Sequence, residues 1–277
     1  MAAIRNERDS LWQPVTYTTM EGSARLAVEI QSKETAYQQL IERVRASYPV
    51  YQESTEYKKS QLVWCEDCKQ EINLWSYWQG SLDAKIMLVG QDWGCPYDKT
   101  SLPTMEQIHR ANNGDTYDYL SQNPSQTDQN LIELFSALLN RKITGPCAHL
   151  FFTNYVLGYR THGTSGNYQK EWAEHDRGFF KELVEIIEPK VILCLGKATF
   201  QAVLASLAPD LKPRIGRYNN YIESPGNPVA ISSASGANIS VFALAHCGVM
   251  GTLNRNGKKN LKLDKQIADW KKVAHYL

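Results

Sequence analysis

The chain has 277 residues, a length that holds one large domain or a domain with an appendage. With 43% hydrophobic residues it can build a full core. Its 21% charged residues and formal net charge of +1 exclude a globally basic nucleic-acid binder, so any such partner must be held by a local patch.

The chain opens without an apolar signal core, and no apolar run approaches membrane-spanning length. A cytoplasmic protein with no membrane partner is therefore expected. Six cysteines in a chain of this size suggest thiols or metal ligands rather than a disulfide framework. Residues 1–60 are polar and irregular apart from one amphipathic helix predicted over 32–46, where Ala36, Leu40, Ile41 and Val44 recur at helical spacing. They read as an extension packed on a main domain of residues 61–277. Trp12, Tyr17, Tyr48 and Tyr51 are expected to be packing residues. Cys65 and Cys68 follow, a pair whose spacing lets two thiolates grip one metal and equally suits two free thiols.

The first strand is Ile86 to Val89, an apolar run that breaks at Gly90 into Gln91-Asp92-Trp93-Gly94. A buried parallel strand ending at a working loop has this form. A long polar stretch, 98–129, contains Tyr117 and Tyr119 and is of a length that loops reserve for function or mobility. A helix is predicted over 128–139, with Leu131, Leu134, Phe135 and Leu138 facing the core. The second strand, 149–154, ends at Asn154, and a Gly-rich turn occupies 158–166. A helix over 170–187 stops before Pro189. A third strand spans 191–195. Gly196 then opens a helix over 197–207, whose N-terminus, with Lys197, can attract a phosphate. Residues 209–236 read as loops with room for a hairpin. The fourth strand, 239–245, ends at His246, and a last helix covers 261–275.

Four apolar strands alternating with helices predict a three-layer α/β/α sandwich around a central four-stranded parallel sheet. Right-handed crossovers put the strand tips on one edge. Asp92, Asn154 and His246 then converge as a carboxylate, an amide and an imidazole. An amide offers an acceptor and a donor in one plane, which matches the O4/N3–H edge of uracil or of another amide-like base. An imidazole can stabilise charge on a leaving group, and a carboxylate can orient water or stabilise a cation. Cleavage of a glycosidic bond to a base requires those parts. Taken singly, each residue also fits a structural role: Asp92 or Asn154 closing a turn, His246 satisfied in a loop. Downstream, Val249, Met250 and Leu253 precede Arg255, Lys258, Lys259 and Lys262, an apolar wedge beside phosphate contacts such as base flipping demands.

With these residues in place, the sequence resembles the uracil-DNA glycosylase superfamily. Val89-Gly-Gln-Asp-Trp-Gly94 is similar to the family's first motif, written GQDPY or GEAPG. Thr153-Asn154 resembles the base-recognition segment of the iron–sulfur branch. The unit from Glu188 to Leu204 resembles that branch's strand–helix unit, and Ala245-His246 begins the last motif. The resemblance implies a monofunctional DNA N-glycosylase of base excision repair that flips a uracil-type or other altered base, needs no cofactor for catalysis, and acts on DNA as a monomer. It makes Asp92 the water-activating carboxylate and His246 the stabiliser of the departing base. Asn154 becomes the base reader, and Gln91 offers its backbone to the base. Trp93, Tyr97 and Tyr117 are the candidates to stack on that base, and Met250 and Leu253 enter the duplex. Arg255, Lys258, Lys259 and Lys197 are the expected DNA contacts.

Two departures follow. Gly94 stands where one branch has a Tyr that excludes 5-substituted bases. The branch's third and fourth cluster cysteines fall near Gly158 and Asp176, which excludes a four-cysteine cluster there. A structural zinc on Cys65, Cys68, His162 and His175 is a possible replacement. The different-class alternatives are a catalytically silent nucleic-acid- or nucleobase-binding member, and a small-molecule nucleotide-binding α/β protein.

Overall fold

The computed structural model describes residues 20–52, 61–65, 81–94, 126–142, 150–161, 169–211, 218–223 and 228–277. Trp12, Tyr17, Cys68, Tyr97, Tyr117, Tyr119 and His162 lie outside them.

The elements, in chain order, are α1 (Met20–Ser47), β1 (Leu62–Val63), β2 (Ile86–Gly90), α2 (Gln126–Leu139), β3 (Leu150–Asn154), β4 (Tyr159–Arg160), α3 (Lys170–Ile187), β5 (Val191–Leu195), α4 (Lys197–Leu207), α5 (Tyr218–Glu223), β6 (Val229–Ser232), β7 (Asn238–Leu244), α6 (Val249–Arg255) and α7 (Asp264–Val273), with a closing 3-10 turn at Ala274–Tyr276. The main sheet runs β3-β2-β5-β7-β6. The first four strands are parallel, as the alternating apolar runs require. The fifth corrects the four-stranded expectation: β6 pairs antiparallel with β7 through a tight hairpin. Of its residues Ile231 alone is buried, between two exposed ones, the alternation of an edge strand packed on one side only.

Strand alternation sorts the side chains into two cores. Met87 and Val89 point to the face covered by α1, α3 and α4, where they meet Leu40, Val44, Phe180, Leu183 and Val203. Ile86 and Leu88 point to the face covered by α2 and α7, among Leu134, Phe135, Leu138 and Trp270. Each such side chain, fully buried, contributes about 1.5–3 kcal/mol. Helix α3 illustrates how sequence sets a boundary. Pro189 disfavours helical backbone at the preceding residue, and Glu188 turns into the left-handed region at φ 51° while its N–H still caps Val184. Helix α1 begins earlier than predicted. It is tied to the domain by its apolar stripe and by Lys33–Asp83 (3.1 Å) and Arg43–Glu182 ion pairs.

The topology decides where a ligand can go. From β2 the chain crosses one way to β3 and then back over β2 to β5, so the order reverses beside the carboxyl end of β2. Crevices of open α/β sheets lie at such a reversal. The register aligns Gly90 with Asn154 and Leu195 with Leu244, so four strand tips share that edge.

Candidate active site

Beyond Gly90 the chain stays locked to the segment after β3. The N–H of Tyr155 donates to the Gly90 carbonyl (3.0 Å), that of Val156 to Gln91 (3.1 Å) and that of Arg160 to Trp93 (3.1 Å). The carbonyl of Gln91 is thereby engaged within the protein. Asp92 is thus held on a backbone ladder, not on a free loop. Its carboxylate is largely shielded, 6% exposed, and is gripped side-on by Arg160: Nε donates to Oδ1 and one terminal nitrogen to Oδ2, both at 2.8 Å. The Gln91 side-chain amide donates to Oδ2 as well, at 2.8 Å.

Arg160 was not among the residues expected at the site. It is buried, sits on the two-residue strand β4 paired antiparallel with β1, and lays its guanidinium over Trp172 at 4.9 Å. One signal was available in the sequence. A shielded carboxylate needs a cation, and Arg160 is the sole Lys or Arg between residues 143 and 169, the stretch that follows the neighbouring strand.

Asn154 ends β3 with a buried side chain that has no hydrogen-bond partner among the described residues. Its amide lies over Gly90: a Cβ there would stand 2.0 Å from Asn154 Oδ1, so only glycine leaves the amide its place. Trp93 is 4% exposed, stacked on Tyr159 and edge-on to Phe152. These neighbours enclose its ring.

His246 follows β7 and is exposed at its outer side. Its Nδ1 accepts from the Gly248 N–H at 2.9 Å, so the neutral ring carries its proton on Nε2. Desolvation holds its pKa below the usual histidine value, opposed by the negative charge of Asp92. The backbone beneath is clamped from two helices. Gln266 of α7 donates to the His246 carbonyl (3.2 Å), and Asn130 of α2 donates to that of Cys247 (2.6 Å). Gly251 lets α6 close on this loop, since a Cβ there would reach within 2.0 Å of the His246 oxygen.

Helix α6 carries Val249 and Met250 outward, with Met250 66% exposed and Leu253 half-buried. Lys197, Lys258 and Lys259 are exposed. Arg255 is placed differently from the expectation of a phosphate contact. Its guanidinium holds Asp269 at 2.6 and 3.0 Å and reaches Glu223 at 3.4 Å, joining α6 to α7 and α5.

The positions of the absent cluster cysteines are filled. A Cβ on Gly158 would fall 2.5 Å from the Tyr48 ring. Asp176, fully buried, accepts from Tyr48 Oη, from the Leu157 N–H (2.6 Å) and from His175 Nδ1 (2.6 Å). These residues do not fit an iron–sulfur cluster. Of the expected zinc set only Cys65 and His175 are described. Cys65 is buried and disulfide-bonded. Among the described residues no three His, Cys, Asp or Glu side chains gather as a metal site.

A doubly wound sheet with a carboxylate, an amide and an imidazole following the tips of its parallel strands defines an open α/β protein, a class whose ligand crevices lie at that edge. The family model of the uracil DNA glycosylase superfamily matches residues 77–271, and the chain belongs to that superfamily, a family of DNA-glycosylase type. No curated protein matches the chain.

Proposed function

We propose that the protein is a monofunctional DNA glycosylase that takes up a flipped, uracil-type or otherwise altered base and hydrolyses its N-glycosidic bond. The observation that carries this reading is the juxtaposition of Asp92, Asn154 and His246 at the tips of β2, β3 and β7. The Asn154 amide, buried and with no hydrogen-bond partner among the described residues, suits the planar donor–acceptor edge of a base. The C1′–N bond breaks with its electron pair leaving on the base. The Nε2–H of neutral His246 then meets that negative charge, and water held by the Asp92 carboxylate adds to C1′, giving one proton to that carboxylate, from which it passes through solvent to the departed base. The two lysines past α6 and the exposed Met250 suit the opened backbone and the vacated stack. Gly94 leaves 5-substituted bases admissible.

The test uses single- and double-stranded oligonucleotides carrying uracil, hypoxanthine, xanthine or 5-substituted uracil, followed by chemical cleavage of abasic sites. Release from at least one of them, reduced in Asp92→Asn, is expected. Absence of release from all, with the variant indistinguishable from wild type, would sink the enzyme.

A second reading is favoured by one feature, the ion pair that offsets the charge of Asp92. It is a silent member that binds a base or nucleic acid without turnover, and base-dependent binding with no abasic product would establish it.

A further inference from the structure

We infer that Arg160 is a positioning residue for the reaction proposed above, acting through Asp92 by fixing the plane of its carboxylate and leaving one oxygen to serve water. The inference rests on the glycosylase reading.

A carboxylate has about four acceptor positions, two on each oxygen. Oδ2 of Asp92 takes two donors, one from Arg160 and one from Gln91, and is saturated. Among the described residues Oδ1 takes one, Arg160 Nε. The remaining acceptor position is therefore on Oδ1, and the plane in which it lies is dictated by two parallel N–H···O bonds. An Asp at the end of a strand otherwise has free rotation about χ1 and χ2. The fork removes it before any substrate arrives, which is what placing a nucleophilic water requires.

Stability alone does not account for the pair. Both side chains are shielded, 5% and 6% exposed, and a buried ion pair usually gains nothing over a well-packed apolar pair. The guanidinium is itself set from several sides. Trp172 stacks under it, β1 pairs with its strand, and its own backbone N–H bonds Trp93, one residue beyond Asp92. Lysine cannot replace this geometry, because an ammonium gives charge without a planar fork.

Arg160→Lys and Arg160→Gln would be compared with wild type under single-turnover conditions, on the oligonucleotide the wild type cleaves, alongside thermal unfolding. Arg160→Lys is expected to lower the rate of base release by about 10–100-fold with half-saturation within about twofold and the unfolding midpoint close to wild type. Added to Asp92→Asn, it is expected to lower the rate no further. Wild-type release with an undiminished Arg160→Lys rate overturns the assignment while leaving the glycosylase standing. So does an equal loss in the Asp92→Asn background, or a loss that merely tracks a fall in the midpoint of both variants. Failure of the wild type to release any base overturns the function and, with it, this role for Arg160.

Discussion

Gly90 and Asn154 form a unit in which one residue has no side chain so that the other's can lie flat. In Gly90→Ala the new Cβ would stand 2.0 Å from Asn154 Oδ1 and push it aside, and the expected result is a fall in base release on the order of 100-fold. Unfolding midpoints measured beside the activity should change little, since the displaced group is the far end of one side chain. His246 makes a second prediction, with a definite sign. Its folded pKa lies below the ordinary 6.5, so the ring stays neutral as pH falls through that value. Rates should hold at pH 6.5 and decline only further into acid, and His246→Asn should lose that decline. The same depression makes its contribution to stability full above pH 6.5 and lost as pH falls toward the folded pKa. Asp92, Asn154 and His246 were all legible as candidates, because each follows an apolar run and strand tips fall on one edge. Arg160 was not, because it sits in a Gly-rich segment without periodicity and its partner is 68 residues away.

At the level of elements, helices α3 and α4 and strand β5 fall on the predicted bounds, since apolar period and the punctuation of Pro189 and Gly196 agree there. The small sheet β1–β4, the edge strand β6 and helix α6 were not predicted as elements. Each is short or one-sided: β1 and β4 exist through a pairing between distant parts of the chain, and β6 through the hairpin with β7. Arg255 was misplaced for a related reason: an arginine on a short amphipathic stretch resembles a phosphate contact until Asp269 appears beside it. The joint between α1, α3 and the β3–β4 link offers a test of its own. Asp176 collects three donors, so Asp176→Ala should cost about 3 kcal/mol in chemical denaturation by orphaning them. The hydrogen bond from His175 to Asp176 raises the histidine's pKa above its ordinary value. That part of the stability is present below pH 6.5 and lost as pH rises through the folded value, a slope opposite to that of His246. Unfolding of His175→Gln across this range should lack it.

For the whole molecule the near-zero net charge gives no global pull on a polyanion, so any attraction to DNA has to come from a local patch. If Lys258 and Lys259 meet phosphates, replacing either by alanine should reduce the slope of log affinity against log salt by about 0.9. Arg255→Gln should leave that slope alone and lower the unfolding midpoint instead, because its charge is already spent on Asp269. Fluorescence anisotropy over a salt series separates the two behaviours. No helix among the described residues is long and apolar enough to cross a membrane.

Cys247 is the neighbour of His246 in the chain, yet its side chain is fully enclosed, and burial pushes its thiol up to about 12. A thiol so protected reacts only while the segment that Asn130 and Gln266 clamp has swung away. Cys247 can therefore serve as a clock for openings of the loop that carries His246. The rate at which an alkylating reagent marks the Cys247 peptide counts openings directly, and a ligand that settles beneath His246 should slow it.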